Sequence, residues 1–454
     1  MKIQQVSVSK LFGLFDHIIP LNSEDRITLL LGENGLGKTI ILKMIDGIFN
    51  RRYSIFNEIP FGLFEIKFDD DRFIEVSKES NGSNESKLIV RGPYANEKPF
   101  NMTPQSIKNL SAIIRDLERH MPELLQAERN LWVNRVTDEM LTIDDMVEYY
   151  GRFFGSARSV SRQRTPDWLE EIQKQLNIEF IQTNRLSINT SAKLGRASGS
   201  PRRNHPGDSV DEYSQDLASK IRDALTKSAE ISSSLDSTFP SRLMKSISQD
   251  AAPPFSEEEL REELRKLQIK RADLTDAGLL DRDMADVQIP DQRVEGFTLN
   301  ALSIYISDAK EKLQVFDDLL RRVDLFRDII KRRFLYKTLS VSKQEGFVFK
   351  SGDSKIPLGS LSSGEQHEIV LLYELLFRVQ PDSLILIDEP EISLHIAWQQ
   401  EFLRDLLQIT KISEFDALIA THSPDIIHDR WDLTVNLQGP AEQTEEVEQM
   451  QVND

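Results

Sequence analysis

The sequence contains no cysteine, which excludes disulfides and thiolate-bound metal sites and fits a reducing compartment. It also lacks any apolar run of roughly 18 residues, the length needed to span a bilayer. The nearest run, EIVLLYELLF, is interrupted by charged glutamates. The first residues, MKIQQVSVSK, alternate as in a strand and have no apolar secretion-signal core. We therefore expect a cytoplasmic protein that does not associate with a membrane.

Excess positive charge is missing as well. The formal net charge is −18, so we do not expect the molecule as a whole to attract nucleic acid. One basic stretch, from Arg185 to Gly207, contains no acid; its basic residues are Arg185, Lys193, Arg196, Arg202 and Arg203. Its glycines and serines favour a flexible linker, and a local DNA contact is the alternative.

Strand-like and helix-like patterns divide the 454 residues into several parts. Near the amino terminus, ITLLL has the pattern of a buried strand, and FEIKF, RFIEVSK and KLIVR predict an antiparallel meander. Strands and helices alternate again after residue 338, which is typical of a parallel sheet. The two ends of the chain are therefore predicted to complete one α/β domain. The predicted segments are a first lobe (1–186), a basic linker (187–212), a helical insertion (213–337), a second lobe (338–438) and an acidic, disordered tail (439–454).

The insertion contains two well-marked helical patterns. Ser256 and Glu259 have the spacing of a capping box, and leucines follow along one face. A second helix is predicted from Leu302 to Ile330, where apolar residues recur in steps of four and three, as in a coiled coil. A projecting hairpin and a long helix packed on a neighbour both fit this pattern. Either arrangement gives these residues a structural role.

The segment GENGLGKT, from Gly32 to Thr39, matches the phosphate-loop pattern and lies between a predicted strand and a predicted helix. In such a loop, backbone N–H groups surround the phosphates of a nucleotide. We expect Lys38 to pair with the β- and γ-phosphates of ATP and Thr39 to bind Mg²⁺. The loop residues expected around the phosphates are Asn34, Gly35 and Gly37. The sequence therefore predicts a site for ATP with Mg²⁺.

Polar residues end three further predicted strands. LILIDEP supplies Asp388, which suits Mg²⁺ directly or through a water, and Glu389, which suits a base or a water-orienting group. His422 ends the strand in IATHSP, and there a γ-phosphate contact is favoured over a purely structural role. Gln182 ends IEFIQ and is predicted to contact Mg²⁺ or the attacking water. Together these residues predict hydrolysis of the bound nucleotide.

A second helix start of the kind that faces phosphate occurs in LSSGEQHEIVLL, residues 361 to 372. In order along the chain, the phosphate loop, the strand-end glutamine, LSSGE, LIDEPE, SLH and THSP resemble the ABC-type ATPase superfamily, which includes the heads of SMC and Rad50-like proteins. The resemblance implies an α/β fold of the ABC-type P-loop ATPase head. Such a head has a mixed, mainly parallel sheet with helices, an antiparallel β subdomain and, here, a helical, coiled-coil-like insertion.

The same resemblance implies roles for individual residues. Glu389 corresponds to the catalytic glutamate, Gln182 to the Q-loop glutamine and His422 to the switch histidine, while residues 391–395 correspond to the D-loop. The signature residues Ser362, Ser363 and Gly364 would contact the γ-phosphate held by a second copy. This signature departs from the common LSGGQ at its third and fifth positions, which are Ser363 and Glu365.

Local stretches at both ends, among them LFGLFDHIIPL and ATHSPDIIHDRWDL, resemble the PtuA ATPases of the Septu anti-phage system and their retron-associated relatives. This resemblance implies a homo-oligomer built from head-to-head dimers that holds a separate HNH nuclease of the PtuB type and reaches DNA through that complex. The seven histidines form no HNH arrangement, and we expect no nuclease domain after His422, so the chain itself is not expected to cut nucleic acid. The alternative is an SMC/RecF-like DNA-repair clamp, which the heptad pattern and the basic stretch favour.

Overall fold

The structure is a computed structural model that describes residues 1–80, 86–93, 100–102, 124–128, 131–134, 139–142, 165–182, 206–248, 255–281 and 296–439. The chain forms two compact units, one of residues 1–203 with 379–454 and one of residues 204–378. Most of the basic stretch from Arg185 to Gly207 and the acidic tail after Gly439 lie outside the described residues. No described helix is both long and apolar enough to cross a bilayer.

The elements are numbered in chain order. The strands are β1 (Ile3–Leu11), β2 (Phe15–Pro20), β3 (Ile27–Leu31), β4 (Leu63–Phe68), β5 (Phe73–Ser80), β6 (Ser86–Arg91), β7 (Phe100–Met102), β8 (Leu124–Glu128), β9 (Leu131–Asn134), β10 (Glu139–Thr142), β11 (Ile178–Gln182), β12 (Thr338–Ser342), β13 (Gly346–Ser351), β14 (Ser354–Ile356), β15 (Leu384–Asp388), β16 (Asp416–Thr421) and β17 (Thr434–Asn436). The α-helices are α1 (Lys38–Phe49), α2 (Ser54–Glu58), α3 (Asp167–Gln175), α4 (Pro206–Ser248), α5 (Glu257–Asp276), α6 (Phe297–Gln314), α7 (Asp317–Arg333), α8 (Ser363–Tyr373), α9 (Ile396–Ser413) and α10 (Pro424–Ile427).

The uninterrupted apolar strands of the first unit form a parallel sheet with the order β11-β15-β16-β3-β17. Their side chains are buried on both faces, which is why ITLLL and LILID show no polar alternation. In parallel strands all carboxyl ends lie at one edge, so residues that follow β3, β15 and β16 are brought together there. This strand order confirms the parallel sheet that the alternation of strands and helices predicts, with strands from both ends of the chain.

The alternating strands form the predicted antiparallel meander, within a sheet of order β2-β1-β4-β5-β6-β7. Alternate residues such as Val6, Val8 and Ile66 are buried, while their neighbours face outward. The inward residues share one apolar core with the buried face of α1 and with residues of the parallel sheet. This core fixes the position of α1 and therefore of the loop that precedes it.

The second unit combines helices α4 to α8 with the hairpin β12-β13-β14. Residues 206 to 212, assigned above to the basic linker, are the first turns of α4. The hairpin and α8 belong to this unit, although the sequence placed them in the second lobe. Both elements belong here because they pack against helices of this unit. The Ser214 hydroxyl of α4 donates to the Phe347 carbonyl of β13 at 2.8 Å. Arg333 of α7 and Glu368 of α8 form a buried ion pair.

The heptad-like stretch is the clearest difference from expectation in this unit. One helix was predicted from Leu302 to Ile330, but the chain forms α6 and α7, with Val315 and Phe316 between them. The Phe316 N–H bonds to Leu313 O at 3.2 Å, which tightens the chain into a turn without proline or glycine. Asp317 and Asp318 then occupy the first turn of α7, where negative charge stabilises a new helix start. The predicted capping box of α5, with Ser256 and Glu259, is present.

Candidate active site

The phosphate loop joins β3 to α1, as its sequence context predicts. Gly35 and Gly37 both have φ of 92°, in the left-handed region that favours glycine. A side chain at Gly37 would also collide with Leu11 of β1. Glycine is therefore required at this position for the backbone to turn closely around a ligand. Asn34 and Gly35 are exposed at the tip of the loop.

Lys38 begins α1 and is only 5% exposed. Its Nζ donates to the carbonyls of Gly32, at 2.6 Å, and Glu33, at 3.1 Å, so the ammonium is held inside the loop. Burial lowers the pKa of Lys38, and the negative charges of Glu389, Glu391 and Asp388 oppose that shift. A cation held in this position is suited to neutralise phosphate oxygens.

His17 of β2 contacts the phosphate loop, and no pattern in the sequence predicts this contact. Its Nε2 lies 3.0 Å from the carbonyl oxygen of Leu36, and the residue is 3% exposed. Burial lowers the pKa of His17, which favours a neutral ring that donates its Nε2–H to this carbonyl. In a trans peptide the carbonyl and the next N–H point in opposite directions, so the Gly37 N–H is turned away from His17. This contact thus orients one donor of the loop.

Thr39 and Asp388 connect the phosphate loop to the end of β15. The Thr39 hydroxyl donates to Asp388 Oδ1 at 3.0 Å. Burial raises the pKa of Asp388, the Thr39 hydrogen bond lowers it, and the charge of Glu389 raises it further. Gln182, the last residue of β11, is the register partner of Asp388 in the neighbouring parallel strand.

These oxygen donors fit Mg²⁺, which takes one or two carboxylates and keeps water or phosphate ligands. Within the described ranges, no three acids or histidines converge as a self-sufficient metal site. The remaining ligands would therefore come from a triphosphate and from water. Thr39 and Asp388 are the residues placed to hold the ion, beside Gln182.

Glu389 follows Asp388 in a left-handed conformation, with φ of 45° and ψ of 60°. This conformation is unfavourable for a residue with a side chain and is often found at functional sites. It is held by a hydrogen bond from the Glu389 N–H to the Ala420 carbonyl of β16, at 2.9 Å. The backbone of Glu389 is therefore fixed between the ends of two central strands.

His422 follows β16, and its side chain is 46% exposed. Its Nδ1 lies 3.9 Å from Glu389 Oε1 and 3.0 Å from Glu391 Oε1. The same oxygen of Glu391 accepts from the Thr421 hydroxyl and from the His422 N–H, both at 2.9 Å. Glu391 belongs to the predicted D-loop, and nothing in the local sequence pattern links it to His422.

The signature residues belong to the second unit and start α8. Ser362 is the N-cap: its hydroxyl accepts from the Glu365 N–H at 3.3 Å, and its N–H donates to Glu365 Oε2 at 2.9 Å. Lys337 contacts the other oxygen of Glu365 at 2.5 Å. Gln366 donates to the Leu361 carbonyl at 2.9 Å and so closes the preceding loop. Glu365, at the fifth position of the signature, therefore completes a capping box that fixes this helix start.

The structure gathers the residues predicted for the nucleotide site at one sheet edge. Lys38, Thr39, Asp388, Glu389 and His422 lie at the carboxyl ends of β3, β15 and β16, and Gln182 ends the adjacent β11. A base or water-orienting carboxylate, a histidine and a cation are thus placed beside a loop that can bind phosphate. Chemically, this set can bind a nucleotide with Mg²⁺ and assist attack by water.

Comparisons with known proteins identify the family. The model of the AAA ATPase domain family matches residues 1–427, so the chain belongs to this family. A search of curated proteins gave no match. Among solved structures, an Smc head domain of Pyrococcus furiosus bound to the C-terminal domain of ScpA is 11% identical and has a TM-score of 0.33, with 99% of each chain covered. An SMC head domain from Thermotoga maritima is 12% identical and has a TM-score of 0.31, with 94% of this chain and 91% of that chain covered.

Proposed function

We propose that this AAA-family ATPase hydrolyses ATP at the sheet edge formed by β3, β15 and β16. The phosphate loop would bind the triphosphate, with Lys38 neutralising its β- and γ-oxygens. Mg²⁺, held by Thr39 and Asp388 beside Gln182, would supply charge neutralisation of the phosphates. The contact that best supports this proposal is the 3.0 Å hydrogen bond between Thr39 and Asp388, because it joins the phosphate-loop helix to the acidic strand.

Glu389 and His422 are assigned to the attack by water. Glu389 would orient the water and accept its proton on a carboxylate oxygen. His422 would contact the γ-phosphate, since its half-exposed ring lies at the same sheet edge. This division of roles is supported by their separate strands and by the strained, anchored backbone of Glu389.

We further propose that two copies associate head to head and that each completes the site of the other. Ser362 and Ser363 are exposed at the start of α8, and Gly364 follows without side-chain crowding. An uncovered helix start with hydroxyls and backbone N–H groups suits the γ-phosphate of a nucleotide held by the partner copy. ATP would then be part of the interface, and binding it would favour the dimer.

The biological role proposed for this dimer is control of a separate HNH nuclease in anti-phage defence. It is supported by the resemblance of both chain ends to PtuA ATPases. Co-purification with the product of the adjacent gene tests this role, and absence of a stable complex with any HNH protein would contradict it.

A DNA-repair clamp is the second candidate, because the stretch from Arg185 to Arg203 is basic in an otherwise acidic chain. It predicts salt-dependent DNA binding by the isolated protein that is lost when Arg196, Arg202 and Arg203 become alanine. If these three substitutions leave DNA binding unchanged, the clamp is excluded.

Turnover of ATP by the purified chain tests the catalytic part of the proposal. We expect the wild type to release phosphate in a Mg²⁺-dependent reaction and Lys38→Ala to release none. Loss of the ammonium removes about 3 kcal/mol of phosphate binding, which corresponds to roughly 100-fold in affinity. Release at the wild-type rate by Lys38→Ala would contradict the assignment of this site.

A further inference from the structure

Glu391 has an unusual concentration of contacts for a residue in a short connecting turn. It lies in the 3-10 turn Pro390–Ser393, is 7% exposed, and directs one oxygen, Oε1, at two consecutive residues after β16. That oxygen accepts from the Thr421 hydroxyl and the His422 N–H, both at 2.9 Å, and lies 3.0 Å from His422 Nδ1. One buried carboxylate therefore controls both the backbone and the ring of His422.

These contacts favour one of the two positions for the ring proton of His422. Oε1 of Glu391 already accepts two hydrogen bonds, and a carboxylate oxygen without a proton has none to donate. His422 Nδ1, 3.0 Å from the same oxygen, is therefore the ring nitrogen on which this carboxylate favours a proton. Glu389 is not an alternative partner, since its 3.9 Å separation from Nδ1 is too long for a hydrogen bond.

We propose that Glu391 is a positioning residue that holds His422 as the Nδ1–H form and leaves Nε2 to face the γ-phosphate or the attacking water. The two nitrogens lie on opposite sides of the imidazole, so a ring anchored through Nδ1 turns Nε2 away from Glu391. The 46% exposure of the side chain leaves that nitrogen accessible. This inference rests on the proposed ATPase function and adds to it the residue that sets the proton position on His422.

The second oxygen of Glu391 argues against a purely structural role. Oε2 is buried and, among the described residues, has no hydrogen-bond partner. Glutamine has the same shape and its Oε1 could accept from Thr421 and His422 without placing a buried charge here. A glutamate instead of a glutamine at this position is explained by the ring it orients, because such partners set the tautomer of a functional histidine.

Two substitutions separate orientation of the ring from support of the backbone. Glu391→Gln keeps an acceptor for the Thr421 hydroxyl and the backbone N–H of His422, and it removes the carboxylate charge beside Nδ1. Thr421→Val is the matched control: it removes the buried hydroxyl that bonds to Glu391, and to the Ser423 N–H at 3.0 Å, but leaves the contact between Glu391 and the His422 ring. A structural role predicts similar effects of both substitutions, whereas a positioning role does not.

The test combines ¹⁵N NMR of histidine-labelled full-length protein with steady-state ATP hydrolysis. The His422 signals are identified by their loss in His422→Asn. We expect the Nδ1–H form in the wild type and in Thr421→Val. In Glu391→Gln we expect a mixture of the Nδ1–H and Nε2–H forms, because the amide oxygen can still accept from Nδ1 but carries no charge that favours a proton there. We also expect kcat of Glu391→Gln to fall about 10- to 100-fold with an unchanged KM, and kcat of Thr421→Val to stay within about twofold.

The NMR measurement and the hydrolysis measurement together distinguish failure of this inference from failure of the proposed function. A wild-type His422 in the Nε2–H form would overturn the inference even if ATP is hydrolysed, as would an unchanged kcat in Glu391→Gln. A chain that shows the Nδ1–H form but never hydrolyses ATP would refute the ATPase proposal and retain the positioning contact.

Discussion

The contact between His17 and the phosphate loop leads to a quantitative prediction. His17→Phe keeps a planar ring in the buried position but removes the donor that faces the Leu36 carbonyl at 3.0 Å. A carbonyl left without its donor costs about 1–3 kcal/mol. About 1.4 kcal/mol corresponds to a tenfold change in affinity. If ATP binding requires an ordered loop, we therefore expect ATP to bind about 5- to 140-fold more weakly. His17→Gln, whose amide can donate to the same carbonyl, is the control and should retain most of the affinity.

The same residue should make stability depend on pH. Burial lowers the pKa of His17 in the folded chain, whereas the unfolded chain binds a proton near its ordinary value of about 6.5. The free energy of unfolding should therefore fall as the pH drops below about 6.5, by at most about 1.4 kcal/mol per pH unit from this group, until the folded pKa is reached.

Calorimetric titration with a non-hydrolysable ATP analogue measures the affinity, and denaturant unfolding between pH 5 and pH 7.5 measures the stability. In His17→Gln the part of the pH dependence that comes from residue 17 should be absent. Wild-type affinity and wild-type stability in His17→Phe, together with an unchanged pH dependence in His17→Gln, would refute the reasoning.

Three further predictions concern other parts of the molecule. Ser362→Ala and Ser256→Ala each remove the N-cap of a capping box and should destabilise the protein by about 1 kcal/mol. Only Ser362→Ala should impair ATP-dependent association of two copies. Equal association of both variants would contradict the signature role of Ser362. Glu368→Leu should cost about 3–5 kcal/mol, because the Arg333 side chain, 3% exposed, loses its buried partner, while Arg333→Met with Glu368→Leu should recover most of that loss in thermal unfolding. Glu389→Gln should bind ATP normally but hydrolyse it at a rate that is lower by a factor of about 100 or more. An unchanged rate of hydrolysis would remove Glu389 from its assigned role.

The nucleotide site was predictable because its signals are local. The phosphate loop is recognised from glycines at fixed spacing between a strand and a helix, and Gly35 and Gly37 indeed have positive φ. The strand-end residues could be grouped without coordinates, since the carboxyl ends of parallel strands share one edge. Thr39 and Asp388, which are far apart in the chain, meet there at 3.0 Å.

The supporting contacts were not predictable because they lack such a signal. His17 bonds to a backbone carbonyl, and a carbonyl has no side chain that could mark the partner in the sequence. Glu391 reaches His422 across two strand ends, a distance that no local pattern encodes. The break between α6 and α7 was missed because apolar spacing continues through Phe316, whereas the turn there depends on tertiary packing of its fully buried ring.

The central claim, that ATP is bound between two copies of the chain, is tested most directly by the mass of Glu389→Gln in solution. Sedimentation without nucleotide, with ADP and with ATP plus Mg²⁺ compares the three states at one protein concentration. The account predicts that only ATP doubles the mass of the sedimenting species, and that Lys38→Ala abolishes this change. The same mass in all three states would contradict it.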